Sequence, residues 1–331
     1  MTTISKKQKE VLTKAKKQKT YTYEEVLESA VAYFNGDELA GTTWMNKYAM
    51  KDYEGNFVEK NPDDMHKRMA KEFGRIEADY KLKYNLNGSA KFLSKYGQER
   101  EDLTEAKVYS LFKEFGYIIP QGSVMSSLGN HYKLASLSNC IVVPELHDSY
   151  GGVFYTDQQL AQLFKRRCGV GVDISNLRPA GSSVSNAAGS TSGAVSFMNR
   201  FSHTTREVAQ NGRRGALMLS MDIAHPDVED FITIKQDLQK VTGANISIRL
   251  SDEFMHAVEA NAEYTHKWPI ESDNPKFTKT VNAKELWNTI IQCAHNTAEP
   301  GLIFWDRQHW YSTSSVYPGY KNTSTNPCSE I

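Results

Sequence analysis

The sequence contains no long hydrophobic run, no excess of one charge and no closely spaced cysteines. No apolar stretch approaches the roughly 20 residues that a membrane-spanning helix requires. Lys plus Arg equal Asp plus Glu at 39 each, so the net charge gives no reason to expect nucleic acid or an acidic membrane surface as a partner. Residues 1–20 are basic but lack the apolar core of a secretory signal, and we expect a flexible terminus there. These absences predict a cytoplasmic protein without membrane or nucleic-acid partners.

The four cysteines stand far apart, at positions 140, 168, 293 and 328. There is no CxxC pair and no histidine cluster at metal-ligand spacing, which excludes a zinc ribbon or a thioredoxin motif. In a cytosolic chain each cysteine is then either a small buried hydrophobe or a reactive thiol. Cys168 and Cys293 adjoin apolar segments and are predicted to be structural. No metal site is predicted.

A change of pattern near residue 119 predicts two domains. Residues 21–118 indicate a helical domain, which begins with a capping box at Thr22 and Glu25. In residues 119–331, helical patterns alternate with short apolar runs, and we predict strands at 140–143, 169–174, 215–221 and 244–250. Strands that alternate with helices favour an α/β domain with parallel strands, as a barrel or a doubly wound sheet.

Two polar loops carry arginines that suit a phosphate group. Arg178 lies in the first, within the Ser- and Gly-rich stretch 175–193. The second loop consists of Gln210, Asn211, Gly212, Arg213, Arg214 and Gly215. Glycine lets the backbone approach a ligand closely, and a guanidinium group binds phosphate oxygens in pairs. From the residues alone, each loop is equally compatible with a solvated surface turn.

Three smaller features have both a functional and an ordinary interpretation. Asp148 and Ser149 could bind a sugar hydroxyl or could form a simple acidic turn. Cys140, taken alone, is more typical of a core than of an active site. Gly169-Val170-Gly171 resembles part of a dinucleotide fingerprint, but no third glycine follows and no helix begins there, so we reject that interpretation.

The last six residues, Asn326-Pro327-Cys328-Ser329-Glu330-Ile331, are the most reactive stretch of the sequence. They place a thiol between an amide and a carboxylate, which can donate a hydrogen bond and accept a proton. In an extended segment Asn326, Cys328 and Glu330 would project to one side. A polar chain end without any function would have the same composition.

Taken together, these segments resemble the large, catalytic subunit of ribonucleotide reductase. The resemblance runs from about residue 40 to the last residue. The matching segments are Leu137 to Cys140, Gly169 to Asp173, Leu177 to Pro179, Arg206 to Ser220, Ala244 to Leu250, Glu299 to Asp306 and Asn326 to Ile331. The resemblance implies a helical N-terminal domain followed by the first part of a ten-stranded α/β barrel with a finger loop through its centre.

The same resemblance implies roles for the reactive residues. Cys328 would carry a thiyl radical that abstracts the 3′-hydrogen of the ribose, and Glu330 would take the proton of the 3′-hydroxyl. Asn326 would hydrogen-bond the substrate. Cys140 would be one half of the dithiol that supplies two electrons at the 2′-carbon. The reaction implied is the reduction of ribonucleoside diphosphates to deoxyribonucleotides.

The two polar loops acquire roles from the resemblance as well. The loop around Arg178 corresponds to the first specificity loop, which binds a nucleoside triphosphate effector. Residues 210–215 correspond to the second loop, between effector and substrate base. Asp148, with a one-residue ambiguity that includes Ser149, matches the contact to the effector's sugar. A deoxynucleotide or ATP at this site would control substrate preference through a mobile loop.

The family's later elements are absent, and this leads to expectations about partners. No cysteine follows Cys328, so we expect a second polypeptide to supply the partner of Cys140 and the rest of the barrel. Thioredoxin or glutaredoxin would re-reduce the disulfide, and the specificity region would form a homodimer. Because the barrel is incomplete, we expect residues 322–331 to be mobile unless a companion chain is bound. The alternative is a non-catalytic module that binds effector nucleotides or serves in assembly.

The source of the radical is a further expectation. Ser-Glu-Ile after Cys328 is more typical of reductases that obtain the radical from a separate, metal-containing small subunit. The segments Arg206 to Ser220 and Glu299 to Asp306 are closer to adenosylcobalamin-dependent enzymes. We expect the first arrangement, with no cofactor bound covalently by this chain.

Overall fold

The computed structural model describes residues 19–208 and 215–329. The chain forms two compact units, of which one ends at Ser138 and the other begins at Asn139. The domain limits drawn from the sequence, 1–20, 21–118 and 119–331, remain predictions. Below, the part up to Ser138 is called the helical unit, and the part from Asn139 the sheet unit.

The helical unit is built on α-helices, as the sequence predicted. They are α1 (Tyr23–Tyr33), α2 (Glu38–Lys47), α3 (Pro62–Leu86), α4 (Lys95–Glu99), α5 (Glu105–Phe112) and α6 (Gly122–Ser127). The capping box at the start of α1 is present: Glu25 N donates to Thr22 Oγ1 at 3.2 Å, and Thr22 N donates to Glu25 Oε2 at 2.8 Å. Met65 and Met69 of α3 are fully buried in the core of this unit.

The sheet unit contains seven strands and six α-helices among its described residues. The strands are β1 (Cys140–Val142), β2 (Gly169–Asp173), β3 (Ala216–Asp222), β4 (Asn245–Leu250), β5 (Glu263–Trp268), β6 (Phe277–Asn282) and β7 (Gly301–Phe304). The helices are α7 (Tyr150–Phe164), α8 (Met198–Glu207), α9 (Val228–Thr233), α10 (Asp252–Ala260), α11 (Ala283–Thr297) and α12 (Trp305–Tyr311).

Five of the strands form one sheet in the order β1-β2-β3-β4-β7, and every neighbouring pair is parallel. This confirms the predicted α/β fold with parallel strands, and all four predicted strands belong to this sheet. The antiparallel hairpin β5–β6 and the edge strand β7 were not predicted.

The two faces of the sheet differ in what covers them. Val170 and Val172 of β2 belong to a large hydrophobic core with Phe164 of α7 and Phe201 of α8. Because successive side chains of a strand point to opposite faces, the residues between these valines point away from the helices. The opposite face, called the inner face below, therefore carries Gly169, Gly171, Ser220 and Arg249.

Candidate active site and nucleotide cleft

Residues 322–329, called the finger segment below, lie on the inner face of the sheet. Thr325 and Asn326 are completely buried, and Ser324 is 4% exposed. Thr323 Oγ1 donates to the carbonyl oxygen of Val143, which follows β1, at 3.2 Å. The expectation of a mobile end therefore does not describe this segment, because the sheet itself supplies its packing partners.

The two glycines of β2 make room for the finger segment. An ideal β-carbon on Gly171 would stand 2.7 Å from the carbonyl carbon of Thr325, and one on Gly169 would stand 3.2 Å from Pro327 Cγ. Both distances are shorter than ordinary carbon–carbon contacts. The Gly-Val-Gly motif thus marks the place where the backbone of the finger segment crosses β2, which agrees with the rejection of a dinucleotide fingerprint.

The finger segment ends in a tight turn that presents Cys328 to solvent. Ser329 N donates to the carbonyl oxygen of Asn326 at 2.9 Å, and Ser329 has a positive φ of 59°. Pro327 occupies the second position of this four-residue turn, where its fixed φ is favourable. The expected extended geometry is wrong here, since Asn326 is buried whereas Cys328 is exposed. Glu330 lies outside the described residues.

Cys140 lies beside the turn that carries Cys328. It begins β1 and is paired with Gly169 of β2. An ideal β-carbon on Gly169 would stand 3.1 Å from Cys140 Sγ and 3.2 Å from Pro327 Cγ, so Cys140 and Pro327 converge on one point. The structure therefore brings Cys140 and the turn that carries Cys328 together at the amino-terminal end of β1 and β2, although 188 positions separate the two cysteines in the sequence.

The other two cysteines differ from Cys140 and Cys328 in being buried. Cys168 and Cys293 are buried in the hydrophobic core of the sheet unit. Burial raises the pKa of the Cys293 thiol, which makes a thiolate less accessible. This placement agrees with the structural role expected for both.

Asp148, Ser149 and Arg178 line one cleft of about 210 Å³. Asp148 accepts two hydrogen bonds from Arg178, from the backbone N at 3.1 Å and from Nε at 2.8 Å. Arg178 Nη1 also donates to the carbonyl oxygen of Ser183 at 3.1 Å. Ser149 caps α7, because its Oγ accepts from Gly152 N at 3.0 Å. The cleft is completed by the polar loop after β2 and by Phe197.

The loop that forms one wall of this cleft is held by residues that the sequence analysis missed. Asp227 accepts hydrogen bonds from Ala180 N at 3.0 Å and from Ala194 N at 2.9 Å, at the two ends of the loop. His225 Nε2 lies 2.8 Å from the carbonyl oxygen of Leu177, and burial lowers its pKa. The signal available in the sequence was the His-Pro-Asp run at 225–227, four residues after the end of the predicted strand 215–221.

Gly215 does not line this cleft. It borders a second cavity of about 200 Å³, together with Arg206 and the amino-terminal ends of β3 and β4. Cys140, Gly169 and Ala216 stand in one row across the sheet, so Gly215 lies at the same amino-terminal end of the strands as Cys140. The remaining predicted loop residues, Gln210 to Arg214, lie outside the described residues.

In residues 19–208 and 215–329, no group of three or more His, Cys, Asp or Glu side chains is arranged to hold a metal ion. In the same part of the chain, no helix combines the length and hydrophobicity needed to cross a membrane.

A family model described as the ribonucleotide reductase barrel domain matches residues 138–331. The chain belongs to this ribonucleotide reductase family. It is 33% identical over 325 residues to a vitamin B12-dependent ribonucleoside-diphosphate reductase of Thermoplasma acidophilum, covering 86% of this chain and 41% of that protein. A reductase of the same name from Mycobacterium tuberculosis is 35% identical over 201 residues, covering 60% of this chain and 28% of that protein.

The chain is also similar to a member of the family that is not named as vitamin B12-dependent. The ribonucleoside-diphosphate reductase large subunit of Trypanosoma brucei brucei is 25% identical over 260 residues, which cover 71% of this chain and 30% of that protein. The chain spans about two fifths or less of the length of these three reductases. The recognition of a ribonucleotide reductase large subunit from its motifs is thereby confirmed.

The expected source of the radical has to be corrected. The relatives from Thermoplasma acidophilum and Mycobacterium tuberculosis are named as vitamin B12-dependent, and so is one from Rhodopirellula baltica. The expectation of a separate metal-containing radical subunit is therefore wrong. It depended on the three residues after Cys328, whereas the much longer segments Arg206 to Ser220 and Glu299 to Asp306 pointed to adenosylcobalamin.

Proposed function

We propose that this chain forms part of the catalytic subunit of an adenosylcobalamin-dependent ribonucleoside-diphosphate reductase. The observation that carries the proposal is the convergence of Cys140 and the Cys328 turn on Gly169. A radical reductase needs one thiol that reacts with the ribose and a dithiol that supplies two electrons at the same sugar. Two cysteines at the amino-terminal end of the same strands, of which one is exposed on a turn, suit these two roles.

In this proposal Cys328 carries the thiyl radical and takes the 3′-hydrogen of the ribose. Cys140 and a second cysteine, from outside this chain, lose two electrons and form a disulfide while the 2′-hydroxyl leaves as water. Thioredoxin or glutaredoxin restores that disulfide to two thiols. Asn326 binds the substrate, and Glu330 accepts the proton of the 3′-hydroxyl.

The residues present fit adenosylcobalamin at one atom, the Cys328 sulfur. When bound, adenosylcobalamin supplies radical chemistry. A thiol that receives a radical from so bulky a group has to be accessible, and Cys328 is exposed on its turn whereas Cys168 and Cys293 are buried. The part that this chain contributes is to hold that thiol beside Cys140.

The cleft around Asp148 is the proposed site of a nucleoside triphosphate or deoxynucleotide effector. Arg178 supplies a guanidinium group for phosphate, because the contacts to Asp148 and Ser183 use its Nε and Nη1 and not its Nη2. Asp148 and Ser149 offer oxygens to a ribose hydroxyl. We assign to residues 210–215 the transmission of effector binding to the substrate; the support for it is Gly215, which directly precedes Ala216 in the row of Cys140 and Gly169.

Two surfaces of the sheet unit suit protein partners. Strands β1 and β7 are the edges of an open parallel sheet, and exposed sheet edges are normally covered. We propose that a further polypeptide segment completes the barrel along them. Tyr150, Phe154 and Tyr155 of α7 are about half exposed or more, and this aromatic face beside the cleft suits a homodimer interface.

A second candidate function is a non-catalytic module that binds effector nucleotides. The observation that favours it is the completeness of the cleft, since all of its lining comes from residues 148–197 of this chain. The reductase proposal requires a complementing segment, whereas effector binding does not. An active complemented enzyme would therefore exclude the module.

The test combines this chain with the segment of the Thermoplasma acidophilum reductase that follows the matched region. Adenosylcobalamin, a ribonucleoside diphosphate and a dithiol are added, and deoxyribonucleotide is measured. We expect product that depends on adenosylcobalamin, and none with Cys328→Ser or Cys140→Ser. Cys293→Ala is the matched control and should retain turnover. Unchanged turnover of Cys328→Ser would rule out the proposed radical site.

A further inference from the structure

Arg249 on β4 connects the sheet to the base of the finger segment. Its side chain is 13% exposed, and its Nη1 donates to the carbonyl oxygen of Thr323 at 3.0 Å. Nη2 donates to Asp222 Oδ2 at 3.1 Å, and Nε stands 3.2 Å from Asp173 Oδ2 as an ion pair without hydrogen-bond geometry. The face of the guanidinium lies 4.6 Å from the ring centre of Trp305. Contacts to each nitrogen and to the face of the guanidinium group therefore fix its orientation.

A second contact lies one strand away and holds the next residue of the finger segment. Ser220 of β3 donates its hydroxyl to Asp173 Oδ2 at 2.8 Å, and its Oγ lies 2.9 Å from Ser324 Oγ. Asp173 is aligned with Ser220, and Asp222 with Arg249, in the registers of β2, β3 and β4. The two finger residues are thus held by one connected polar group on three strands.

This polar group is not explained by stability alone. Removing two carboxylates and a guanidinium from water is costly, and apolar residues of similar size often stabilise a fold equally well. Burial raises the pKa of Asp222, and the positive charge of Arg249 acts against that rise. An apolar side chain, however, could not bind the carbonyl oxygen of Thr323. The guanidinium offers this donor in a rigid, planar form.

We propose that Arg249 is a positioning residue that fixes the finger segment on the sheet and thereby sets where the Cys328 turn meets Cys140. Cys328 follows Thr323, the residue that Arg249 contacts, by five residues. A displacement of Thr323 would therefore also displace the Cys328 thiol. The catalytic meaning of this role rests on the proposed reductase function. The positioning itself does not, and it can be measured without turnover.

The test measures amide hydrogen exchange of the full chain in two variants and a control. Arg249→Lys keeps the charge but loses the planar fork, and Ser324→Ala removes the second contact without leaving a buried charge. Hydrogen bonds to charged groups are worth roughly 1.5–3 kcal/mol, so exchange at the amides of 323–326 should rise about 10- to 100-fold in Arg249→Lys. A smaller, roughly fivefold rise is expected for Ser324→Ala. Arg307→Met, which removes an exposed pair with Asp252, should leave these amides unchanged.

The location of the change decides between positioning and general stability. A rise confined to 323–326, with α7 and β2 unchanged, supports the proposal. An equal rise throughout the sheet unit in Arg249→Lys, or protected finger amides in Ser324→Ala, would overturn it. In the complemented enzyme, kcat should fall about tenfold or more in Arg249→Lys while effector affinity stays constant. If no variant or wild type turns over but the finger amides still respond, the reductase function fails and the positioning role stands.

Discussion

Thr325 crosses Gly171 so closely that no side chain fits between them. An ideal β-carbon on Gly171 would stand 2.7 Å from the Thr325 carbonyl carbon, and closer still to its oxygen. Both partners are backbone, which cannot rotate away as a flexible side chain can. The depth at which the finger segment lies on the sheet is therefore set by a residue without a side chain.

We expect Gly171→Ala to displace the finger segment. The added methyl group must push Thr325 off the sheet, so protection of amides 323–326 from exchange should be lost and turnover of the complemented enzyme should fall at least about a hundredfold, as misplacement by about 1 Å does. Gly151→Ala is the matched control, because the nearest atom there is Ser149 Oγ at an ordinary 3.7 Å. Retained turnover in Gly171→Ala would contradict the fixed geometry.

Arg178→Gln should weaken effector binding without harming the fold. The change removes a phosphate-binding charge and the Nε contact to Asp148 at 2.8 Å, and a charge-assisted bond is worth roughly 1.5–3 kcal/mol. Affinity for ATP or a deoxynucleoside triphosphate, measured by calorimetry, should fall about 10- to 100-fold. Arg166→Gln, just beyond the C-terminal end of α7 and outside the lining of the cleft, serves as control. Equal affinity of both variants would place the effector elsewhere.

Asp227→Ala should loosen the loop from Ala180 to Ala194. It leaves the backbone N–H groups of Ala180 and Ala194 without their acceptor. Ala194 is buried, and an unsatisfied buried donor costs about 1–3 kcal/mol. We expect a free energy of unfolding lower by about 1–3 kcal/mol in urea titrations, together with weaker effector binding. Asp230→Ala, on the next turn, should have little effect. A fall in stability with unchanged effector affinity would show that the loop does not shape the cleft.

His266 makes the sheet unit sensitive to acid. It is fully buried on β5, neither ring nitrogen has a hydrogen-bond partner among the described residues, and burial lowers its pKa from 6.5 to about 4. Between pH 6.5 and pH 4 the unfolded chain therefore binds a proton at His266, whereas the folded chain does not. The contribution of His266 to the free energy of unfolding is fully present above pH 6.5 and declines by about 3 kcal/mol as the pH falls to 4.

His266→Phe should remove this pH dependence. Urea unfolding between pH 7 and pH 4 should show a slope reduced by the contribution of one proton, while stability at pH 7 stays equal or rises because no polar atom is left unsatisfied. His256→Phe, on α10, is the control and should keep the slope of the wild type. An unchanged slope in His266→Phe would mean that the histidine is hydrated in the folded protein.

The parallel strands β1 to β4 were predictable because each is a short apolar run, and β2, β3 and β4 are largely buried. The hairpin β5–β6 was missed because its strands alternate buried with exposed or are largely exposed, and charged residues such as Lys267 and Lys279 interrupt the apolar pattern. Such strands are stabilised by pairing with each other, which a single sequence does not show.

The candidate site shows the same division. Cysteine, arginine and glycine were recognisable as reactive or ligand-binding from their types and neighbours, and the order of the motifs indicated the family. Arg249 and Asp227 were missed because their partners, Thr323 and Ala180, lie 74 and 47 positions away. Such a contact is made by the sheet and leaves no local pattern.

The sequence by itself therefore determined the class of fold, the family and the reactive residue types, since these depend on short-range periodicity and on side-chain chemistry. Only the tertiary structure decided that Gly169 and Gly171 make room for the finger segment, that Cys140 lies beside the turn of Cys328, and that Arg249 binds the carbonyl oxygen of Thr323. Parallel strands align residues far apart in the chain according to register, and register is a property of the packed sheet.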